Sequence, residues 1–206
     1  MKVYVVGISI GYARWIDNCK LVTNIDDAQV VLFTGGADIS PKYYGCKQHD
    51  STWPAPYRDI EEIKWFNKVK PHQLVVGICR GFQLECVMNG GLLVQDVTNH
   101  AGGCHNITNG KDVYTVTSIH HQMIYPWNLD PKEYDILFWS EKKISRHYEG
   151  DKIIPEKITV EPEVAVFHKE NKPLCLGIQG HPEMMQKSDP FVRELNNLLL
   201  KYVERI

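Results

Sequence analysis

A chain of 206 residues can enclose one well-packed domain but is short for two, so we expect a single domain over residues 1–206. The formal net charge of −2 argues against nucleic acid or an anionic membrane surface as the main partner. No stretch approaches the roughly twenty apolar residues of a membrane span. The apolar start at residues 3–8 is too short for an export signal and lacks a small-residue cleavage site, so it is predicted to be a buried strand.

Short runs rich in valine, isoleucine and leucine alternate with helical patterns, which predicts an α/β domain with a mainly parallel central sheet and helices on both faces. The predicted strands are residues 2–9, 30–33, 74–78, 92–97, 112–118, 134–139, 163–168 and 174–179. The predicted helices are residues 58–69, 80–89 and 189–204. Residues 100–112 are predicted to be a loop because glycine and asparagine dominate them, and the polar segment 140–158 is predicted to run over the surface.

The cysteines are scattered and contain no Cys-x-x-Cys pair, a distribution that argues against a disulfide scaffold or a paired zinc site. Reduced thiols in a cytoplasmic setting are therefore expected, with at most one or two taking part in chemistry. The six cysteines are Cys19, Cys46, Cys79, Cys86, Cys104 and Cys175.

Cys79 lies at a sharp corner between the predicted strand 74–78 and the helix that follows, with Gly77 and Gly81 on either side. A strand that enters a helix through such a turn forms a nucleophile elbow, and the helix N-terminus favours an anion there. The backbone N–H of Arg80 would then point to a developing oxyanion. The simpler interpretation is that Cys79 is a small apolar residue at a strand end.

A proton acceptor for such a thiol is found in residues 177–183, GIQGHPE, where His181 and Glu183 flank Pro182. Proline favours an extended backbone at the preceding residue, and alternate residues of an extended segment project to the same side. Glu183 can therefore orient one ring nitrogen of His181 while the other faces the thiol. Without a nucleophile elsewhere, the motif would be read as a surface turn.

A second strand runs directly into Gly35-Gly36. Glycine backbone can approach a ligand closely and offer its N–H groups, so one of these amides could complete an oxyanion hole with Arg80. An ordinary turn is the alternative. No Gly-Lys-Ser/Thr follows, so this is not a phosphate-binding loop.

Residues 77–83, GICRGFQ, and residues 177–183, taken together, resemble the class I glutamine amidotransferase superfamily. More motifs resemble the γ-glutamyl hydrolase-like branch. These are GGADISPKYYG at 35–45, RDIEE at 58–62, GGLLVQD at 90–96 and SIHHQ at 118–122. The resemblance implies a single-domain, flavodoxin-like fold of the class I glutamine amidotransferase type, with a nucleophile elbow.

By the same resemblance Cys79 is the nucleophile, His181 the base and Glu183 its orienting carboxylate. The residues implied in binding the α-amino and α-carboxylate groups of a γ-glutamyl unit are Gln83, Ser118, Ile119, His120 and His121. Gln83 could instead be an exposed helix residue. His120-His121 could be a metal pair, but adjacent side chains point apart and no third ligand has suitable spacing, so neither a metal nor a cofactor is expected.

Two features depart from the family pattern. Gly180 stands where many relatives carry tryptophan, which predicts a roomier pocket, and residues 46–57, which would border the leaving-group side, are compressed.

The resemblance implies a cysteine-dependent hydrolase that cleaves a small γ-glutamyl amide through a thioester. One alternative is a glutaminase subunit that supplies ammonia to a separate synthase chain, and another is a non-catalytic binding protein that keeps the fold. The expected partner is a small-molecule γ-glutamyl substrate, and neither nucleic acid nor a membrane is expected as a partner. A homodimer is an alternative to a monomer. The glutaminase alternative requires a separate synthase chain as partner.

Overall fold

The computed structural model describes all 206 residues as thirteen strands and three α-helices, with short 3₁₀ turns between them. The strands are β1 (Lys2–Val6), β2 (Lys20–Leu21), β3 (Val30–Phe33), β4 (Leu74–Ile78), β5 (Leu92–Val94), β6 (Asp96–Val97), β7 (Gly103–Thr108), β8 (Val113–Ser118), β9 (Met123–Tyr125), β10 (Tyr134–Ser140), β11 (Tyr148–Glu149), β12 (Pro162–Phe167) and β13 (Cys175–Ile178). The helices are α1 (Pro56–Phe66), α2 (Arg80–Met88) and α3 (Pro190–Val203).

Nine strands form one sheet in the order β2-β1-β3-β4-β13-β12-β10-β7-β8. The five strands from β2 to β13 run parallel to their neighbours, and the four strands beyond β13 pair antiparallel. Every residue of β3, β4 and β13 is buried, as expected for parallel strands covered on both faces. The two small sheets, β5-β9 and β6-β11, lie outside this main sheet.

Two apolar cores flank the sheet because successive strand residues point to opposite faces. Leu74 and Val76 of β4 pack in one core with the apolar stripe of α3. Val75, between them in sequence, packs in the other core with Phe66 of α1 and Phe82 of α2. Helices therefore cover both faces, and the predicted fold class is confirmed.

The prediction that residues 100–112 form a loop is wrong. They contain β7, which forms a six-residue antiparallel ladder with β8. Residues 109–112 make the hairpin turn, where the Asn109 side chain accepts hydrogen bonds from the backbone N–H groups of Lys111 and Asp112. The glycine and asparagine content reflects this turn and the strand ends, while the pairing with β8 determines the strand itself.

The chain places three loops together at one edge of the sheet. Strands β3, β4 and β13 are adjacent and parallel, so the segments that follow Phe33, Ile78 and Ile178 leave the same edge side by side. In open α/β sheets this carboxyl edge is where ligands bind. None of the three helices has both the length and the apolar character needed to cross a membrane.

Candidate active site

Cys79 occupies the turn between β4 and α2 in a backbone conformation that residues with a side chain rarely adopt. Its φ is 52° and its ψ is −103°, and it forms the N-cap of α2. Such strain persists only when the surrounding structure enforces it, and it is concentrated at functional sites. The residue is 7% exposed and lies on the wall of a pocket of about 280 Å³. The predicted nucleophile elbow is therefore present in the backbone geometry.

The two glycines beside Cys79 are required by close backbone approach. A Cβ atom on Gly77 would lie 2.4 Å from the backbone carbon of Gly81. A Cβ atom on Gly81 would lie 2.3 Å from the carbonyl oxygen of Phe33. These contacts are with backbone atoms that cannot move aside, so the elbow has this shape only with glycine at both positions.

His181 and Glu183 lie at the carboxyl end of β13, the strand next to β4. Nδ1 of His181 is 2.6 Å from Oε1 of Glu183, and both residues are buried. The Thr117 hydroxyl of β8 accepts a hydrogen bond from the His181 backbone N–H at 2.9 Å and donates to the His181 carbonyl at 3.1 Å. Three contacts thus fix the backbone and ring of His181, and those to Thr117 were not predicted because β8 is distant in sequence.

Cys79 and Glu183 both influence the protonation of the His181 imidazole. Burial by itself would lower the pKa of His181, but the hydrogen bonds and negative charges of Cys79 and Glu183 raise this pKa to about 9. Nε2 of His181 is buried and has no hydrogen-bond partner within the chain, so it is free to face a thiol or a substrate. The raised pKa favours the imidazolium form of His181, the protonated partner that a cysteine nucleophile uses.

The loop after β3 brings Gly35 and Gly36 against these residues. A Cβ atom on Gly35 would lie 2.9 Å from Cε1 of His181, and Gly36 has a φ of +140° that disfavours a side chain. The N–H groups of both glycines donate to no other group of the chain. Arg80 is the first residue of α2, so its N–H lacks an intrahelical acceptor too. Free backbone donors therefore lie on both sides of Cys79.

The Arg80 side chain anchors the elbow through a buried ionic network. Its guanidinium is fully buried and donates to Asp59 at 2.7 Å, to Glu62 at 2.9 Å and to the carbonyl oxygen of Ala37 at 2.6 Å. Arg58 also donates to Glu62, at 2.6 Å. The network ties the glycine loop to α1 and to α2. Only the family resemblance singled out the RDIEE segment in the sequence, because charged residues normally indicate an exposed helix face.

Four of the five predicted substrate-binding residues line the pocket with Cys79, and they are Gln83, Ile119, His120 and His121. Gln83 is buried, and its amide donates to the carbonyl of Gln122 at 3.2 Å. The fifth, Ser118, lies outside the pocket. Its hydroxyl is buried and donates to the carbonyl of His100, so the predicted contact of this side chain with substrate does not fit the structure.

Asp38 is a pocket residue that the residue-level predictions missed. One carboxylate oxygen accepts from the Trp53 backbone N–H at 2.8 Å, and the other is 3.2 Å from Nε2 of His121. This hydrogen bond raises the pKa of His121, although burial opposes it. Asp38 gives the pocket a negative charge opposite an imidazole. The sequence signal that could have identified Asp38 as a pocket residue is its position in the motif at 35–45.

Gly180 does not make the pocket roomier, contrary to the sequence-based prediction. A Cβ atom at this position would lie 2.8 Å from the carbonyl oxygen of Thr117. Backbone of β8 fills the space that a larger side chain would need, so the glycine here permits close packing of the two chain segments.

His120 and His121 point apart, as the sequence predicted for adjacent residues. His121 faces Asp38, whereas the ring of His120 lies 4.6 Å from the ring of His100. The sequence spacing predicts no further ligand near this pair. The structure nevertheless places His100, His105 and Glu163 close to His120, because β7, β8 and β12 belong to the same end of the main sheet.

The sequence of this chain matches a known protein family over the segment that builds much of the site. The model of the family described as Peptidase C26 matches residues 10–128, which is more than half of the chain and includes the elbow, the glycine loop and SIHHQ. The chain belongs to the peptidase C26 family. The predicted relationship to class I glutamine amidotransferases is supported at the level of the family.

Relatives of this peptidase C26 chain carry provisional glutamine amidotransferase names. A protein of Mycobacterium tuberculosis is 28% identical over 165 residues, which are 77% of this chain and 52% of the relative. An amidotransferase-like protein of Lactococcus lactis subsp. lactis is 29% identical over 117 residues, covering 46% of this chain and 50% of the relative. The chain thus spans about half the length of these curated relatives.

Solved structures share the fold. A Thermoplasma acidophilum protein, provisionally named as a subunit of GMP synthase, superposes with a TM-score of 0.62 and 17% identity, over 100% of this chain and 94% of that one. A glutamine amidotransferase of Thermotoga maritima gives a TM-score of 0.55 at 16% identity, over 100% and 90% of the two chains. At these identities the likeness establishes the class I glutamine amidotransferase fold.

Proposed function

We propose that the protein is a cysteine-dependent hydrolase that cleaves the γ-glutamyl amide bond of a small molecule and releases glutamate and an amine. The observation that carries the proposal is the strained Cys79 elbow on the wall of a pocket, beside free backbone donors, with Cys79 raising the pKa of His181. Membership of the peptidase C26 family supports this reaction class.

In the first half of the reaction, the Cys79 thiolate attacks the γ-carbonyl carbon of the substrate. The carbonyl oxygen becomes an oxyanion that the N–H groups of Arg80 and of Gly35 or Gly36 stabilise, each donor lowering the barrier by about 3 kcal/mol. As the C–N bond breaks, His181 gives its proton to the departing amine. The product is a γ-glutamyl thioester on Cys79.

The charge on sulfur explains how His181 can hold a proton in the resting protein and lose it at the right step. Its pKa of about 9 depends on Cys79 as well as Glu183. Once the sulfur is acylated, its negative charge is gone and the pKa of His181 must fall. The imidazolium therefore becomes a stronger acid as the leaving group needs a proton.

In the second half, neutral His181 accepts a proton from water, and the hydroxide attacks the thioester carbonyl. Breakage of the C–S bond restores the thiolate and releases glutamate. Glu183 keeps the ring oriented through its 2.6 Å contact with Nδ1. Both half-reactions use the same oxyanion donors.

The pocket fits the two polar ends of a glutamyl group. Asp38 supplies a carboxylate for an α-ammonium group, and His121 beside it offers an N–H donor for an α-carboxylate. The Gln83 amide lines the same pocket as these residues and Cys79. A volume of about 280 Å³ suits a small substrate rather than a polypeptide.

The test is glutamate release from a panel of γ-glutamyl amides by the native protein and by Cys79→Ala. Removal of the sulfur should reduce kcat/KM by about a thousandfold or more, because the covalent route disappears. Cys104→Ala is the matched control, since this cysteine is exposed on β7 away from the pocket, and it should keep full activity. A Cys79→Ala protein with native activity would refute the proposal.

A second candidate is a glutaminase subunit that passes ammonia to a separate synthase. The provisional amidotransferase names of the relatives and the synthase-subunit name of the Thermoplasma acidophilum protein favour it. The two functions differ in how the isolated chain behaves. A hydrolase should turn over γ-glutamyl amides alone, whereas a glutaminase subunit should be nearly inactive on glutamine until its synthase is added.

A further inference from the structure

Three histidines and a glutamate form a buried cluster behind the pocket. His100 precedes β7, His105 lies on β7, His120 follows β8 and Glu163 lies on β12. His100 is 0%, Glu163 1% and His120 4% exposed, and His105 is nearly as well covered. None of these residues has a part in the chemistry at Cys79, and only His120 reaches the pocket wall.

We propose that this cluster is a binding site for one divalent transition-metal ion, with zinc as the ion that its donors fit best. The donors would be Nδ1 of His100, Nε2 of His105, Nε2 of His120 and the carboxylate of Glu163. Three imidazole nitrogens and one carboxylate are a ligand set that zinc accepts in tetrahedral geometry. Imidazole also excludes the hard cations magnesium and calcium, which prefer oxygen ligands.

The spacing of the donor atoms fits a tetrahedral ion. Oε1 of Glu163 lies 2.8 Å from Nε2 of His105, 3.6 Å from Nδ1 of His100 and 3.9 Å from Nε2 of His120. Ligands of a tetrahedral zinc with Zn–N bonds of 2.0–2.1 Å are about 3.3 Å apart. The observed distances from Oε1 of Glu163 lie on both sides of this value.

Hydrogen bonds within the protein leave much of the cluster unsatisfied. Nδ1 of His100, Nε2 of His120 and Oε2 of Glu163 are buried and have no hydrogen-bond partner. Oε1 of Glu163 is engaged by His105 and by the Ser140 hydroxyl at 3.3 Å. Buried polar atoms are nearly always paired in folded proteins, and two unpaired ring nitrogens facing a carboxylate that itself has an unpaired oxygen indicate a bound group.

The outer contacts of two histidines match those of metal ligands. Such a histidine usually directs its second ring nitrogen to a carboxylate or a carbonyl. Nε2 of His100 lies 3.3 Å from Oε2 of the buried Glu161, close but without hydrogen-bond geometry, and Nδ1 of His120 donates to the carbonyl of Gln122 at 2.8 Å. Each ring therefore presents the remaining nitrogen to the centre of the cluster.

A metal at this position would stabilise the pocket wall from behind. It would hold His120 in place and connect β7 with β12. The backbone carbonyl of Glu163 accepts the N–H of Gln179, two residues before His181, so the site is joined to the strand end that carries the proposed base. With four protein donors the ion would be structural.

The experiment measures metal content and metal binding of the purified full chain. Protein stripped with a chelator is incubated with Zn²⁺, freed of excess ion and assayed by elemental mass spectrometry. One zinc per chain should remain, and the thermal unfolding temperature should rise by several degrees. Retention of no zinc by the native protein would overturn the proposal.

Two variants and a matched control locate the ion. Glu163→Gln and His100→Gln should lose zinc binding, whereas His147→Gln should retain one equivalent. His147 belongs to a half-exposed group with Asp96 and Glu149 that could bind ions at the surface. Unchanged zinc in both cluster variants, or loss only in His147→Gln, would contradict the assignment.

A spectroscopic measurement on the native chain covers the case in which the cluster variants do not fold. Co²⁺ in a tetrahedral site of nitrogen and oxygen ligands gives strong visible absorption, whereas six-coordinate surface Co²⁺ absorbs weakly. The cluster predicts the strong spectrum, saturating at one Co²⁺ per chain and displaced by Zn²⁺. A weak spectrum would overturn the proposal whatever the variants do.

Discussion

The proton on His181 can be followed without any substrate, and its pKa depends directly on the sulfur of Cys79. The perturbation is Cys79→Ala, which removes one of the two groups, Cys79 and Glu183, that together raise this pKa to about 9. The rise from the ordinary value of 6.5 corresponds to about 3 kcal/mol in favour of the imidazolium. With the sulfur gone, only Glu183 opposes the effect of burial, so the pKa should fall by about one unit or more.

The assay is a proton NMR titration of the His181 Cε1–H resonance, assigned by its absence from the His181→Gln spectrum. The midpoint should lie near 9 in the native protein and clearly lower in Cys79→Ala. Glu183→Gln should lower it too, because Glu183 is the other group that raises this pKa. His121 is the internal control, since its raised pKa arises from Asp38. A midpoint that stays near 9 in Cys79→Ala would refute the coupling of His181 to the sulfur.

Three further predictions concern the residues that hold the site in place. Arg80→Leu leaves the buried Asp59 without a cationic partner and Glu62 with Arg58 alone, and should lower the free energy of unfolding by about 3–5 kcal/mol in urea titrations; a loss below 1 kcal/mol would contradict a buried network. Thr117→Val removes both contacts to the His181 backbone and should reduce kcat/KM more than the exposed-site control Thr115→Val, with Thr117→Ser restoring it. Burial raises the pKa of Glu85 well above its usual value, so the folded chain is more stable below about pH 4.5 and loses stability as the pH rises. Glu85→Gln should therefore flatten the dependence of unfolding free energy on pH above about pH 4.5, and an unchanged slope would count against a protonated Glu85.

Most of the fold was predictable because its signals are local. The buried strands 30–33 and 74–78 are continuous runs of apolar residues, and their predicted limits match β3 and β4. The helix beginning at Asp189-Pro190 follows from its apolar stripe and from the Asp189 side chain, which caps the N-H of Phe191. The strand β7 was missed, since only its pairing with β8 gives it a strand conformation.

The proposed catalytic residues were recognisable because their chemistry lies in two short motifs. Backbone strain at Cys79 and the contact between His181 and Glu183 follow from neighbours two residues away. The ionic network of Arg80 and the histidine cluster around Glu163 could not be found in the same way. Their members come from separate strands and helices, and only the packing of the whole sheet brings them together.

The most direct measurement of the central claim is covalent trapping of the sulfur. The native protein is incubated with a γ-glutamyl diazoketone, an electrophile that carries the substrate's own recognition groups, and is then analysed by intact and peptide mass spectrometry. We predict one adduct per chain, located on Cys79, much slower to form in His181→Gln and absent from the exposed Cys104. An unmodified Cys79, or an adduct on Cys104 at an equal rate, would contradict a thiolate activated by His181.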